Sequence, residues 1–233
     1  MGIAGSITFE GPFGAKGERV LYVHGYGGSI KDAGLMELIE GMSEEGYSIT
    51  CALLPLTFSD LGPEVTIPLR EYIETRGVLH IVGFSLGCLV AANLEVGGGR
   101  VLISPFWGIG KLIEPMGLKG ALAIATGSAK AVIDRKGAKA SIGWEWIGPD
   151  HPSDPDLERT ASAVGKALLE RPPPAPEDVI IASSSDHIIS LDALTASKVK
   201  VHFLRGGHMV LSGNDRKKLL SLVLAALRER PDK

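Results

Sequence analysis

The chain of 233 residues has only two cysteines, Cys51 and Cys88, and they form neither a C-x-x-C pair nor part of a Cys/His cluster. Disulfide frameworks and zinc sites both need closely spaced sets of such residues. We therefore predict two buried free thiols. The 6 histidines include no pair four residues apart, so the sequence offers no local metal site, and we expect no bound metal.

An excess of basic residues is also absent, because 24 Lys and Arg residues face 27 Asp and Glu residues, for a formal net charge of -3. Nucleic-acid binding depends on many cations at phosphates, so this balance argues against such a partner. No apolar run approaches the roughly 20 residues that cross a bilayer, and the N-terminal residues lack the pattern of a signal peptide. We expect no membrane span and a cytoplasmic location, and the oligomeric state stays open.

Short apolar segments rich in β-branched residues alternate with segments of helical periodicity. Strands are predicted at 19–23, 48–54, 78–82, 100–104, 179–182 and 199–204. Helices are predicted at 35–45, 63–76, 86–94, 156–170 and 215–228. This alternation is typical of an α/β fold, a mostly parallel central sheet with helices on both faces. We predict a single domain over residues 1–233, since a chain of this length can bury one core.

The stretch from Pro105 to Pro176 differs from the rest of the chain. It contains all three tryptophans, is rich in glycine and proline, and shows no clear buried strand. We interpret residues 105 to about 155 as an insertion between two strands of the sheet, followed by the helix at 156–170.

Gly83-Phe-Ser85-Leu-Gly87 lies directly between the predicted strand at 78–82 and the helix that begins at Leu86. A serine at such a turn projects its hydroxyl above the sheet, and the flanking glycines let neighbouring backbone pass close by. The pattern alone is common in a glycine-rich chain, where it can be a turn without chemistry. Its position between strand and helix predicts that Ser85 is a nucleophile.

His24-Gly25-Tyr26-Gly27-Gly28 follows the predicted strand at 19–23. At this position the backbone N–H groups of Tyr26 and Leu86 would converge on a carbonyl oxygen that becomes negative during attack, so we predict an oxyanion hole. A phosphate-binding loop would need G-x-G-x-x-G or a following Lys-Ser/Thr, which this segment lacks. We interpret His24 as a residue that braces the loop.

Asp186 and His208 each follow a predicted strand, at 179–182 and 199–204. Ligands and catalytic groups of open α/β sheets collect at the C-terminal ends of the strands. We predict that His208 is a general base and that Asp186 orients it. Asp186 could instead cap a turn, and the rival carboxylates are Asp192, in the segment that follows, and Asp178, which precedes the strand at 179–182.

With these motifs, the chain resembles the α/β-hydrolase superfamily over nearly its whole length, in particular small bacterial and archaeal carboxylesterases and monoacylglycerol-lipase-like serine hydrolases. The order Ser85, Asp186, His208 is the order of the catalytic triad in that fold. The resemblance implies hydrolysis of a small-molecule carboxylic ester with a small or medium acyl group, through an acyl-serine and without a cofactor. Thioester, peptide or carbon–carbon cleavage by the same triad stays open, as does a non-catalytic binding module on this scaffold.

The insertion at 105–155 occupies the place where these enzymes carry a cap over the active site. The aromatic candidates for the walls of an apolar substrate pocket are Phe106, Trp107, Trp144 and Trp146. Further apolar candidates are Leu112, Ile113, Met116 and Leu118. Alternatively, the aromatic side chains only anchor the cap to the sheet.

Overall fold

The computed structural model describes residues 6–14, 16–32, 34–110, 114, 117–125, 129–136, 139–146, 155–186, 188–196 and 199–229. The strands in these ranges are β1 (Thr8–Phe13), β2 (Arg19–Val23), β3 (Ser48–Leu53), β4 (His80–Phe84), β5 (Arg100–Ile103), β6 (Ala129–Lys136), β7 (Lys139–Trp146), β8 (Val179–Ser183) and β9 (Val201–Leu204). The α-helices are α1 (Leu35–Glu44), α2 (Ile67–Arg76), α3 (Leu86–Ala91), α4 (Gly117–Ala125), α5 (Pro155–Glu170), α6 (Leu191–Thr195) and α7 (Arg216–Arg228).

Seven strands form one sheet in the order β1-β3-β2-β4-β5-β8-β9. All neighbouring pairs are parallel except β1 and β3, which run antiparallel at one edge. From β2 the chain moves outward to β3, and from β4 it moves outward in the other direction to β5. The strand order therefore reverses between β2 and β4, and the loops after these two strands diverge to leave a crevice at their C-terminal ends.

Helices cover both faces of the sheet, as alternate residues of β2 show. Leu21 and Val23 pack in the same apolar cluster as residues of α2, α3 and α5. Val20 and Tyr22 pack in a second cluster with residues of α1 and α7. Since side chains alternate between the two faces of a strand and both faces are covered, the strand is apolar at every position after Arg19.

The predicted mostly parallel sheet flanked by helices is confirmed, and the predicted helices α1, α5 and α7 begin and end within one residue of the observed bounds. Strand β1, helix α4 and the antiparallel hairpin of β6 and β7 were not predicted. Strand β1 is mostly exposed, so it lacks the apolar run that marks a buried strand. Within the part of the chain that the structure describes, no helix is long and apolar enough to cross a membrane.

Candidate active site

Ser85 occupies the turn between β4 and α3, with φ 52° and ψ -118°. A residue with a side chain seldom adopts such a backbone conformation, which costs on the order of 1–3 kcal/mol. Hydrogen bonds hold the turn in place. The Ser85 amide donates to the carbonyl of Ile103 at 2.9 Å, and the Ser85 carbonyl accepts from the amides of Cys88 and Phe106 at 3.0 and 3.1 Å. The Ser85 side chain is therefore fixed at the C-terminal end of β4.

The two glycines that flank Ser85 are needed for steric reasons. A Cβ atom at Gly87 would lie 2.2 Å from the carbonyl oxygen of Val23, and one at Gly83 would lie 2.9 Å from the Cα atom of Cys88. Real Cβ atoms essentially never approach other atoms within 3.0 Å. Helix α3 can pack this closely against β2 and β4 only because both positions lack a side chain.

A continuous chain of hydrogen bonds joins three side chains. His208 Nε2 lies 2.8 Å from Ser85 Oγ, and His208 Nδ1 lies 2.8 Å from Asp186 Oδ2. The other oxygen of Asp186 accepts the amides of Ile188 and Ile189 at 2.9 and 3.3 Å. Because an ionised carboxylate only accepts, Nδ1 carries the proton, and Nε2 of the neutral ring is left to accept from the hydroxyl of Ser85.

The other candidate carboxylates lie elsewhere. Asp192 lies in the first turn of α6, whereas the oxygen at 2.8 Å from His208 Nδ1 belongs to Asp186. Asp178 precedes β8, at the opposite end of that strand, and accepts two hydrogen bonds from the guanidinium of Arg100 at 2.6 and 3.1 Å. Asp186 is thus the carboxylate that orients the His208 ring.

Two buried serines support the loop that carries His208. The hydroxyl of Ser104 donates to the backbone carbonyl of His208 at 3.1 Å, and that of Ser183 donates to the carbonyl of Gly206. Neither serine is among the site residues predicted from the sequence. The available signal was their position, since both stand where a buried strand reaches its C-terminal end.

The loop after β2 forms the other side of the site. Tyr26 and Leu86 both line the cavity that contains Ser85. Leu86 is the first residue of α3, and amides in the first turn of a helix have no acceptor within the helix. The geometry thus brings both predicted oxyanion residues to the same cavity wall as the hydroxyl.

The ring of His24 packs against Gly28 of this loop. The side chain is buried, and a Cβ atom at Gly28 would lie only 1.7 Å from its Nδ1 atom. His24 Nε2 lies 3.1 Å from Asp32 Oδ2. Burial lowers the pKa of His24, against the opposing effect of the Asp32 carboxylate. The imidazole is therefore neutral at neutral pH.

A cavity of about 380 Å³ opens beside Ser85 and His208. Its apolar lining comes from Phe106, Ala121, Leu122, Ile124, Ile188 and Met209. Three of these residues belong to α4, so the segment between β5 and α5 supplies one wall. The volume lies at the lower end of the range of small-molecule sites.

The predicted pocket residues have different positions. Phe106 lines the cavity, whereas Trp107 is buried with the guanidinium carbon of Arg171 4.6 Å from its ring centroid and is not among the described lining residues. Trp144 and Trp146 belong to β7, but their side chains fall outside the described part of the structure. Outside it as well are Leu112, Ile113 and Met116, while Leu118 is half-buried against the apolar core.

The cavity residues of α4 were missed although the sequence carried a signal for them. Residues 118–125 form a mainly apolar run after Gly117, long enough for two helical turns. The predicted pocket residues include Leu118 of α4 but none of its three cavity residues, Ala121, Leu122 and Ile124.

Both cysteines are buried free thiols, as predicted. Burial raises the pKa of Cys51 to about 12, and burial also raises that of Cys88. Neither thiol is therefore a nucleophile at neutral pH. Among the described residues, no three His, Cys, Asp or Glu side chains come together as a set that could hold a metal ion.

Comparison with known proteins identifies the family. The sequence matches the model of the alpha/beta hydrolase family over residues 20–218. The monoacylglycerol lipase of Paleococcus ferrophilus has a TM-score of 0.59 and 14% identity, over 95% of this chain and 97% of that chain. A structure of the metagenome-derived lipolytic enzymes LipS and LipT has a TM-score of 0.58 and 18% identity, over 97% of this chain and 98% of that chain.

The carboxylesterase CesB of Bacillus subtilis has a TM-score of 0.56 and 13% identity, over 97% of this chain and 89% of that chain. At these identities the likeness concerns the fold alone. No curated protein matches the sequence. Since the family model covers most of the chain, and the sheet, its flanking helices and the solved structures agree with it, this protein belongs to the α/β-hydrolase family.

Proposed function

We propose that the protein is a serine hydrolase that cleaves carboxylic esters of small or medium acyl groups through an acyl-serine intermediate. The observation that carries this proposal is the hydrogen-bonded chain from Asp186 through His208 to Ser85, with 2.8 Å at each link to the histidine, which ends at the cavity. A neutral imidazole held this way accepts the hydroxyl proton as the oxygen attacks. Ser85 is then the nucleophile, at the strained turn typical of such serines.

In the proposed reaction each step is assigned to a group of the site. Ser85 Oγ bonds to the ester carbonyl carbon while its proton moves to His208 Nε2. The carbonyl oxygen becomes negative and accepts hydrogen bonds from the amides of Tyr26 and Leu86. Collapse of the tetrahedral intermediate breaks the bond to the alcohol oxygen, which takes the proton from His208. Asp186 stabilises the imidazolium formed between these steps.

Hydrolysis of the acyl-enzyme repeats the same proton transfers with water. The water gives a proton to His208 Nε2 and attacks the acyl carbon, and the second intermediate collapses to release the carboxylic acid. The proton returns to Ser85 Oγ, which restores the starting hydrogen bond of 2.8 Å. Only side chains, backbone amides and water take part in these steps.

The shape of the cavity supports an acyl group as the bound part. Leu122, Ile124 and Phe106 offer apolar surface beside Ser85, and the volume of about 380 Å³ favours small or medium chains. In this proposal residues 105–155 form the cap, of which α4 is the part that contacts the acyl chain.

The experiment that tests the proposal combines labelling and turnover. Wild type, Ser85→Ala and the control Ser184→Ala, an exposed serine in the turn after β8, are treated with a fluorophosphonate and assayed with p-nitrophenyl butyrate. We expect labelling of the peptide that contains Ser85 and ester hydrolysis in wild type and control, and loss of both in Ser85→Ala. Folded wild type that neither labels nor hydrolyses would contradict the proposal and favour a binding module.

A further inference from the structure

Asp32 contributes a carboxylate to the wall of the Ser85 cavity. Among the described residues that line this cavity, the other titratable side chains are His24, His208 and Tyr26, and there is no lysine or arginine. The Asp32 side chain is 31% exposed, and its Oδ2 atom accepts the amide of Ser29 at 3.2 Å. The carboxylate is therefore held by the loop in a fixed position rather than free to turn away into solvent.

The described groups around Asp32 leave its negative charge uncompensated. His24 touches it at 3.1 Å but stays neutral at neutral pH, because burial lowers the pKa of the imidazole. Lys31 is exposed and is not among the described lining residues, so water screens its charge. The positive charge that His208 gains during the reaction is matched by Asp186, which contacts it directly.

We propose that Asp32 makes the active-site cavity selective by charge, so that acyl groups with a carboxylate or phosphate are disfavoured and neutral or cationic acyl groups are preferred. The proposal rests on the proposed function, since it concerns substrates of Ser85. Part of the electric field of Asp32 passes through the apolar walls formed by Phe106, Leu122 and Ile124 rather than through water. An ion in the cavity therefore feels this carboxylate more strongly than it would in bulk solvent.

The consequence for substrate class is specific. Half-esters of dicarboxylic acids would bring their free carboxylate into the cavity that already contains the negative charge of Asp32. Thioesters of coenzyme A would bring several phosphates to the mouth of the cavity. Both should be poor substrates, whereas simple alkyl acyl esters and esters of ammonium-bearing acids should be good ones. This selectivity should appear in kcat/KM, because the charge of Asp32 attracts or repels the substrate before the reaction begins.

The test uses three p-nitrophenyl esters with acyl chains of similar length and different charge: hexanoate, the adipate monoanion and 6-(trimethylammonio)hexanoate. The variant is Asp32→Asn, which keeps an oxygen to accept the Ser29 amide, and the control is Glu74→Gln, an exposed acid of α2 at the opposite end of the sheet. We expect the kcat/KM ratio of adipate to hexanoate to rise by about fivefold or more in Asp32→Asn, and the ratio of the cationic ester to hexanoate to fall by a similar factor.

Three results discriminate between the possibilities. Charge ratios that do not move in folded Asp32→Asn, even if all three rates fall together, would overturn the selectivity and leave Asp32 as a brace of the loop. If the variant does not fold, wild type gives the answer, because the adipate to hexanoate ratio should rise between 0.05 and 0.5 M NaCl in proportion to screening and a flat ratio would overturn the proposal. Hydrolysis of hexanoate that persists in Ser85→Ala would instead contradict the proposed function.

Discussion

The hydroxyl of Ser104 donates a hydrogen bond to the backbone carbonyl of His208, with 3.1 Å between the two oxygens. Ser104 is fully buried and has φ 46°, a conformation that a residue with a side chain seldom adopts. Ser183 makes a similar contact to the carbonyl of Gly206. The loop of His208 is thus tied to the ends of β5 and β8, although its own Gly207 has open space around it.

Removal of the hydrogen bond from Ser104 to the His208 carbonyl should lower kcat more than it weakens substrate binding. We expect Ser104→Ala to reduce kcat for p-nitrophenyl butyrate by about tenfold with KM nearly unchanged, and to lower the free energy of unfolding by about 1 kcal/mol. Ser184→Ala, at an exposed serine, is the matched control for steady-state kinetics and urea unfolding. An unchanged kcat in Ser104→Ala would mean that the loop holds His208 without this bond.

Separate substitution of Asp186 and Asp192 by asparagine should distinguish the roles of these two carboxylates. Asp186→Asn removes the charge next to His208 Nδ1 and offers the ring the wrong hydrogen-bond partner, so we expect kcat to fall by about 10⁴-fold. Asp192→Asn should stay within a few-fold of wild type, because the carboxylate oxygen at 2.8 Å from that nitrogen belongs to Asp186. Steady-state kinetics of the two variants is the measurement, and a larger loss in Asp192→Asn would contradict the assignment.

Gly87 should tolerate no side chain. An alanine Cβ there would lie 2.2 Å from the carbonyl oxygen of Val23 and 2.6 Å from that of His24, both backbone atoms that cannot move aside alone. We expect Gly87→Ala to lower the free energy of unfolding by at least about 2 kcal/mol. Gly97→Ala is the control, since its Cβ would meet only Leu79 Cδ1 at 3.4 Å. Equal stabilities in urea unfolding would show that α3 packs less tightly against β2.

His24 should make stability depend on pH. The folded pKa is lowered by burial, so below the ordinary value of about 6.5 the unfolded chain takes up a proton that the folded protein does not. The stabilisation is complete above that pH and is lost as pH falls from about 6.5 toward the lowered folded pKa. His202, whose pKa is also lowered by partial burial, acts in the same direction.

The measurement is the free energy of unfolding from pH 8 to pH 5 in wild type and in His24→Asn. The wild type should lose more stability across this range than the variant, and the difference isolates His24 from His202. Parallel curves would contradict this prediction, because they would mean that the pKa of His24 is the same in the folded and the unfolded protein.

The strands and the three central side chains could be predicted because each depends on a local pattern. Ser85, Asp186 and His208 each follow a short apolar run, and parallel strands bring such positions to one edge of a sheet. The structure accordingly places Ser85 and His208 in contact although 123 positions separate them in the chain. The flanking glycines could be predicted for the same reason, since their steric role belongs to the turn itself.

Other features depend on tertiary contacts that no local pattern reveals. Strand β1 is mostly exposed and is held by pairing with β3, so its sequence lacks a periodic apolar signal. Asp32 enters the cavity wall only because the loop after β2 folds back past His24. Likewise, the role of Ser104 exists only once β5 and the loop of His208 are neighbours.

The proposed mechanism requires that an acyl group becomes covalently attached to Ser85. The most direct measurement mixes the protein with excess p-nitrophenyl butyrate, quenches in acid within the first turnovers, and determines the mass of the intact protein and of its peptides. We expect a butyryl group on the peptide that contains Ser85 in wild type and none on that peptide in Ser85→Ala. Folded wild type that hydrolyses the ester with no acyl group on Ser85, and at the same rate as Ser85→Ala, would contradict this mechanism.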